Sequence, residues 1–229
     1  MPLHLLTGAG SGIGAALAAR LHARGDGLIL LARSAERARE LEARHPGATT
    51  LVADLAAPAD LAAALAAPAL PARLDSLIHI AGVVDLGPVA DLTVESWQAQ
   101  LAVNLVAPAE LTRLLLPAVR AARGQVCFVN SGAGLRASPE WSAYAASKHG
   151  LKALADSLRA EEAPHGVRVS SIFPGRTATP MQAFVHEQEG RPYDPAAWID
   201  PETVATAMLT ILDLPRDAQI PELSIRPGA

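Results

Sequence analysis

The chain has one cysteine, two lysines and few aromatic residues, and each scarcity removes a class of explanation. A lone Cys127 excludes an intrachain disulfide and any cysteine-based metal centre. The histidines, at 4, 22, 45, 79, 149, 165 and 186, never stand at the short spacing of metal ligands, so no metal site is expected. Aromatic residues make up 3% of a chain that is 50% hydrophobic, so Ala, Leu and Val have to build the core. Such a core suits helices packed closely on a buried sheet better than a β-sandwich. No apolar run of membrane-spanning length is free of charged or turn residues. Residues 1–6 are too short for a signal peptide and run into a glycine-rich turn. Basic residues nowhere cluster and the net charge is −4, which gives no footprint for nucleic acid or an anionic membrane. The expectation is a cytoplasmic protein with neither nucleic-acid nor membrane partners.

Short unbroken apolar runs alternate with longer helical stretches. The runs at 3–6, 27–32, 49–53, 76–81, 125–130 and 168–173 predict buried strands, with a short seventh at 222–225. Helices are expected over 12–24, 34–44, 58–66, 95–120, 139–163 and 200–212. This alternation implies parallel pairing and right-handed crossovers, hence an α/β fold. It is read as a doubly wound, Rossmann-type parallel sheet of about seven strands with helices on both faces. No linker, repeat or low-complexity segment divides the chain, so 1–229 reads as a single dinucleotide-binding and catalytic domain. Ser138 as N-cap, Pro139 at the first position and Glu140 in the first turn mark the start of the helix over 139–163, and Gly166 marks its end. Residues 176–199, with Gly190 and prolines 180, 192 and 195, form a long connection of the kind that serves as a substrate lid.

Three features carry chemistry. Thr7-Gly8-Ala9-Gly10-Ser11-Gly12-Ile13-Gly14 follows the first strand and opens the first helix. Its glycines permit a tight turn and let a pyrophosphate approach backbone N–H groups at a helix N-terminus. At the end of the second strand a carboxylate would accept the ribose 2′-hydroxyl bonds of NAD, whereas an arginine favours a 2′-phosphate. The chain has Ala32-Arg33-Ser34 there and no acid before Glu36, so NADP(H) is expected over NAD(H). The alternative is a solvent-facing arginine at a helix entry. Finally, Tyr144 and Lys148 stand four residues apart in a chain with only two tyrosines and two lysines. On a helix they share one face, where an ammonium can lower the pKa of a phenol. A half-buried core tyrosine beside a solvated lysine would show the same spacing.

With these features in this order, the chain resembles the short-chain dehydrogenase/reductase family over nearly its whole length, in particular NADP(H)-preferring members with a TGxxxGxG and YxxxK pattern. The glycine motif falls on Thr7, Gly8, Gly12 and Gly14, with Gly10, Ser11 and Ile13 beside the cofactor. The resemblance implies that Asp54 and Leu55 meet the adenine. It also implies that Ala81 and Gly82 keep a cofactor contact where the family's Asn-Asn-Ala-Gly is replaced by His79-Ile80-Ala81-Gly82. The asparagines' sheet-stabilising hydrogen bonds are then not available. Asn104 matches an asparagine whose backbone carbonyl holds a proton-relay water. Ser131, thirteen residues before Tyr144, matches the family serine. Pro174-Gly175 matches the turn against which the nicotinamide packs. Thr177 and Thr179 are both offered for its carboxamide, and the assignment between them stays open.

The activity implied is hydride transfer between a nicotinamide and a carbonyl or secondary alcohol, reducing a small apolar ketone or aldehyde with NADPH. Tyr144 would donate the proton, its pKa drawn down from about 10 by Lys148 and the nicotinamide's positive charge. Ser131 would hydrogen-bond the carbonyl oxygen, Lys148 the nicotinamide ribose, and Asn104 would link Lys148 to solvent. Ser131, Ala133, Trp141, Tyr144, Met181 and Phe184 are expected around the substrate, with Arg136 and Arg176 available to an anionic group. Two other readings are a 3-oxoacyl-carrier-protein reductase, which would want a basic patch at the mouth, and a non-catalytic NADP(H)-binding sensor or scaffold. The presence of Tyr144 and Lys148 counts against the sensor. A homodimer or homotetramer is expected through the helices at 95–120 and 139–163, with Leu101, Leu105, Leu151, Leu154 and Leu158 as candidate contacts.

Overall fold

A computed structural model describes residues 1–66 and 70–228. Along the chain these are β1 Leu3–Thr7, α1 Gly12–Ala23, β2 Gly27–Ala32, α2 Ala35–Arg44, β3 Thr49–Val52, α3 Leu61–Ala64 and β4 Ser76–His79. They continue with α4 Val94–Leu101, α5 Ala107–Ala122, β5 Gln125–Val129, α6 Ser142–Glu162, β6 Arg168–Pro174, α7 Pro180–Gln188, α8 Pro201–Asp213 and β7 Glu222–Ile225. The strands form one parallel sheet in the order β3-β2-β1-β4-β5-β6-β7. The order reverses between β1 and β4, which opens a crevice at the strands' C-terminal ends.

The unbroken apolar runs follow from a sheet covered on both faces. Alternate residues point to opposite sides: Leu6, Ile78, Cys127 and Val129 join one core, Leu5, Leu77, Val126 and Phe128 the other. The first core takes Leu17 and Leu21 of α1 with Val204, Met208 and Ile211 of α8. The second takes Leu111, Leu115 and Val119 of α5 with Leu151, Ala155 and Leu158 of α6. Leu151 and Leu158 therefore pack on the sheet and are not free for association, while Leu101, Leu105 and Leu154 stay partly exposed. The segment Val94–Ala122 is by length and composition apolar enough to cross a membrane, yet its Leu111, Leu115 and Val119 are buried against the sheet.

Four elements differ from expectation. The helix over 139–163 starts at Ser142, because Glu140 adopts a left-handed φ of 68° and its carbonyl accepts Gly87 N–H at 2.9 Å. The helix over 95–120 is interrupted by a π-helical turn at Ala102–Val106. The stretch at 58–66 shortens to a 3₁₀ turn, Pro58–Asp60, followed by α3. Inside the 176–199 connection lies α7, capped where the Thr179 hydroxyl accepts Gln182 N–H, with Pro180 at its first position.

His79 replaces the missing asparagine bonding with a different tie. Its Nε2 hydrogen-bonds the Thr112 hydroxyl of α5 at 3.0 Å, and its ring stacks on Phe128 at 4.9 Å. Burial pushes its imidazole down to about 3. The unfolded chain takes up a proton near 6.5 and the folded chain does not until about 3, so stability is complete above pH 6.5 and falls as pH drops toward 3. Between pH 6.5 and 5 the wild type is expected to lose about 2 kcal/mol more than His79→Asn, read by urea unfolding at both pH values. Parallel pH dependences of the two proteins would remove this role for His79.

Candidate active site

The crevice is a cleft of about 1300 Å³, and the glycine turn forms its floor at one end. The Thr7 hydroxyl accepts Ile80 N–H at 3.0 Å and Ala81 N–H at 3.1 Å, tying the ends of β1 and β4 together. Gly8, at φ 74°, passes so close to β4 that a methyl there would lie 2.8 Å from Ala81 N. Gly10 has nothing within 4 Å of where its side chain would stand. Ser11 caps α1 with extended backbone and no side-chain bond, so the first N–H groups of α1 are left for a ligand. Arg33, Arg37 and Arg44 border this end with Asp54 and Leu55. A diphosphate with a sugar and a flat base fits this cradle.

The other end holds the reactive groups. Lys148 is buried, and its Nζ donates to Val129 O at 3.0 Å and sits 5.8 Å from the centre of the Tyr144 ring. Asn130 holds two neighbours at once: its Oδ1 accepts Ser131 N–H at 2.8 Å and its Nδ2 donates to Lys148 O at 3.0 Å. Asn104 lies fully buried in the π-helical turn, a distortion frequent at functional sites. Its side chain accepts Val83 N–H and donates to Val83 O, both at 2.8 Å, and donates to the Ser147 hydroxyl at 3.0 Å. Ser147 in turn donates to Tyr144 O at 2.7 Å, so Asn104 fixes the first turns of α6 against the loop after β4.

Burial dominates the electrostatics here. It brings the Lys148 ammonium down to about 8. It also holds the Tyr144 phenol above its ordinary value of 10.0, opposed by a hydrogen bond with Ser131. The expected lowering of the phenol by Lys148 is thus absent in the protein alone, where desolvation is the largest influence. Tyr144 keeps its proton at neutral pH, the state a proton donor needs.

The sequence over residues 3–190 matches the family described as short chain dehydrogenase. The chain belongs to the short-chain dehydrogenase family. It is 34% identical over 218 residues to the oxidoreductase UcpA of Salmonella typhi, a match covering 93% of this chain and 80% of that protein. It is 31% identical over 218 residues to L-xylulose reductase of Bos taurus, covering 94% and 83%. Among solved structures, levodione reductase superposes with a TM-score of 0.86 at 27% identity, covering 98% of this chain and 95% of the other. This short-chain dehydrogenase is accordingly an oxidoreductase acting on CH–OH and C=O groups.

Most of the residues expected at the site of this short-chain dehydrogenase line its cleft: the glycine turn from Gly8 to Gly14, Arg33, Asp54, Leu55, Ala81, Gly82, Ser131, Ala133, Trp141, Tyr144, Lys148, Pro174, Gly175, Thr177, Thr179 and Met181. Thr7 and Asn104 stand behind the wall as ties. Phe184 is a correction: it is exposed on α7 and lies outside the cleft, whose wall takes Met181, Gln182 and Val185 from that helix. Arg176 is another. It is paired with Glu189 through two bonds at 2.5 and 2.9 Å and lies over the rings of Trp141 and Trp198, so its charge is already answered. Sequence reasoning missed Asn130, marked only as a polar residue ending an apolar run, and Arg37, Arg44 and Arg226, which nothing local distinguishes from other arginines.

Proposed function

We propose that this short-chain dehydrogenase is an NADP(H)-dependent carbonyl reductase. The observation that carries this reading is the meeting of Ser131, Tyr144 and Lys148 in one cleft with the open glycine turn. When bound, the nicotinamide supplies the hydride for the carbonyl carbon, or takes it up in the reverse direction. Tyr144 gives its proton to the carbonyl oxygen, and the Ser131 hydroxyl donates a hydrogen bond to the same oxygen as negative charge develops on it. Lys148 holds the nicotinamide ribose. Asn104 and Asn130 keep these groups in register, and the walls contributed by Val84, Trp141, Met181 and Val185 exclude water.

Arg33, at the end of β2, supports NADP(H). Arg37 is engaged with Glu40 at 2.5 Å and Arg44 donates to Gly10 O at 3.0 Å, whereas no ion pair among the described residues involves Arg33. Charge-assisted bonds to a phosphate contribute about 1.5–3 kcal/mol. Arg33→Ala is therefore expected to raise KM for NADPH by roughly 10- to 100-fold and to move KM for NADH far less, in steady-state assays with each cofactor. Equal changes for the two cofactors would show that Arg33 does not read a 2′-phosphate.

A further inference from the structure

We infer that the substrate carries a carboxylate and that Arg226 receives it beside the reacting carbonyl. This rests on the carbonyl-reductase reading and names the substrate class for the same site. β7 delivers Arg226 to the C-terminal edge of the sheet between two held residues. The Ile225 carbonyl accepts Gly175 N–H at 2.7 Å, and Pro227 covers Gly175 so closely that a methyl on that glycine would lie 2.9 Å from Pro227 Cδ. The Arg226 guanidinium then lies over Gly132, the residue directly after Ser131: a methyl on Gly132 would come 2.6 Å from Nη1. Two glycines thus leave room for this one side chain, one for its backbone and one for its charged head.

The charge around it is unbalanced. Arg136, Arg176, Arg191 and Arg226 line the substrate end, against Glu140 and Glu189. Arg176 and Glu189 neutralise one another. No ion pair among the described residues involves Arg136, Arg191 or Arg226, so the end carries a cationic excess reaching it from three separate segments. The neighbouring wall contributed by Val84, Met181 and Val185 is apolar. A planar carboxylate satisfies a guanidinium fork with two parallel bonds. All three arginines are exposed, and Arg226 is placed for that role because its head lies over Gly132, directly after Ser131, whereas Arg136 and Arg191 stand on other segments at the mouth. An acidic carrier protein would need only the mouth arginines; a small oxo acid uses the one beside the serine.

The test is NADPH consumption with 2-, 3- and 4-oxo acids, each beside its methyl ester, and with a carrier-linked 3-oxo thioester. The expected result is that one acid exceeds its ester in kcat/KM by roughly tenfold or more. Arg226→Gln is expected to bring that ratio to about one, with Arg226→Lys between the two. Circular dichroism checks that both variants fold, and if Arg226→Gln does not, Arg226→Lys alone decides: an undiminished ratio overturns the assignment. Esters reduced as well as acids, or a ratio that survives Arg226→Gln, also overturns the substrate class while leaving the carbonyl-reductase reading intact. Preference for the carrier-linked thioester over every free acid overturns it in favour of an acidic protein. Turnover of none of these, nor of neutral ketones, overturns both readings together.

Discussion

Tyr144→Phe is expected to lower kcat/KM for carbonyl reduction by about 10²- to 10⁴-fold, the usual worth of a positioned proton donor. The substitution removes one oxygen and keeps the ring that packs against Trp141, Val84 and Val185, so the wall of the cleft stays in place. Ser131 remains as a hydrogen-bond donor and limits the loss. Because burial holds the phenol above its ordinary value, the wild-type enzyme has its donor protonated at neutral pH. Reduction is then fastest at neutral pH and slows as pH rises through the phenol's pKa. Alcohol oxidation needs the phenolate and speeds up over the same range. NADPH oxidation followed from about pH 6 to about pH 11 in both proteins reads the rate loss and the fall above pH 10 together. A Phe variant working at the wild-type rate would rule out proton donation by Tyr144.

The legible parts of this molecule are those that depend on neighbours in sequence. The buried strands showed as unbroken apolar runs because both faces of the sheet are covered, as the alternation of Leu5 and Leu6 between the two cores demonstrates. Tyr144 and Lys148 were legible because one helical turn brings them to one face. What stayed hidden depends on distant partners. The start of α6 moves to Ser142 because Glu140 takes a left-handed conformation held by Gly87, a residue far back in the chain. His79 gives no hint of Thr112, nor Arg226 of Gly132. Phe184 could be placed outside the cleft only once α7 existed, since a helix sends Val185 inward and its neighbour outward.

Gly14→Ala is expected to raise the Kd for NADPH by at least about 100-fold, by closing the cradle rather than by touching the ligand. The backbone of Gly14 has an ordinary φ, so conformational freedom is not the reason for a glycine here. Space is. A methyl at Gly14 would overlap the Gly8 carbonyl oxygen, lie 2.7 Å from its carbon and meet Ala9 N at 3.1 Å. All three are backbone atoms, so no side-chain rotation relieves the clash. Either the turn between β1 and α1 opens or α1 tilts away from it. Both move the N–H groups at the start of α1, and an opened turn also strains the bonds from Ile80 and Ala81 to Thr7. Overpacking of this kind costs about 1–3 kcal/mol, so thermal unfolding should register a lower Tm as well. Gly10→Ala separates the two effects, since a methyl there meets nothing within 4 Å and should leave Tm unchanged. Fluorescence titration with NADPH and thermal melts of both variants make the comparison, and a Gly14→Ala protein with wild-type affinity would mean that this close approach does not shape the cofactor site.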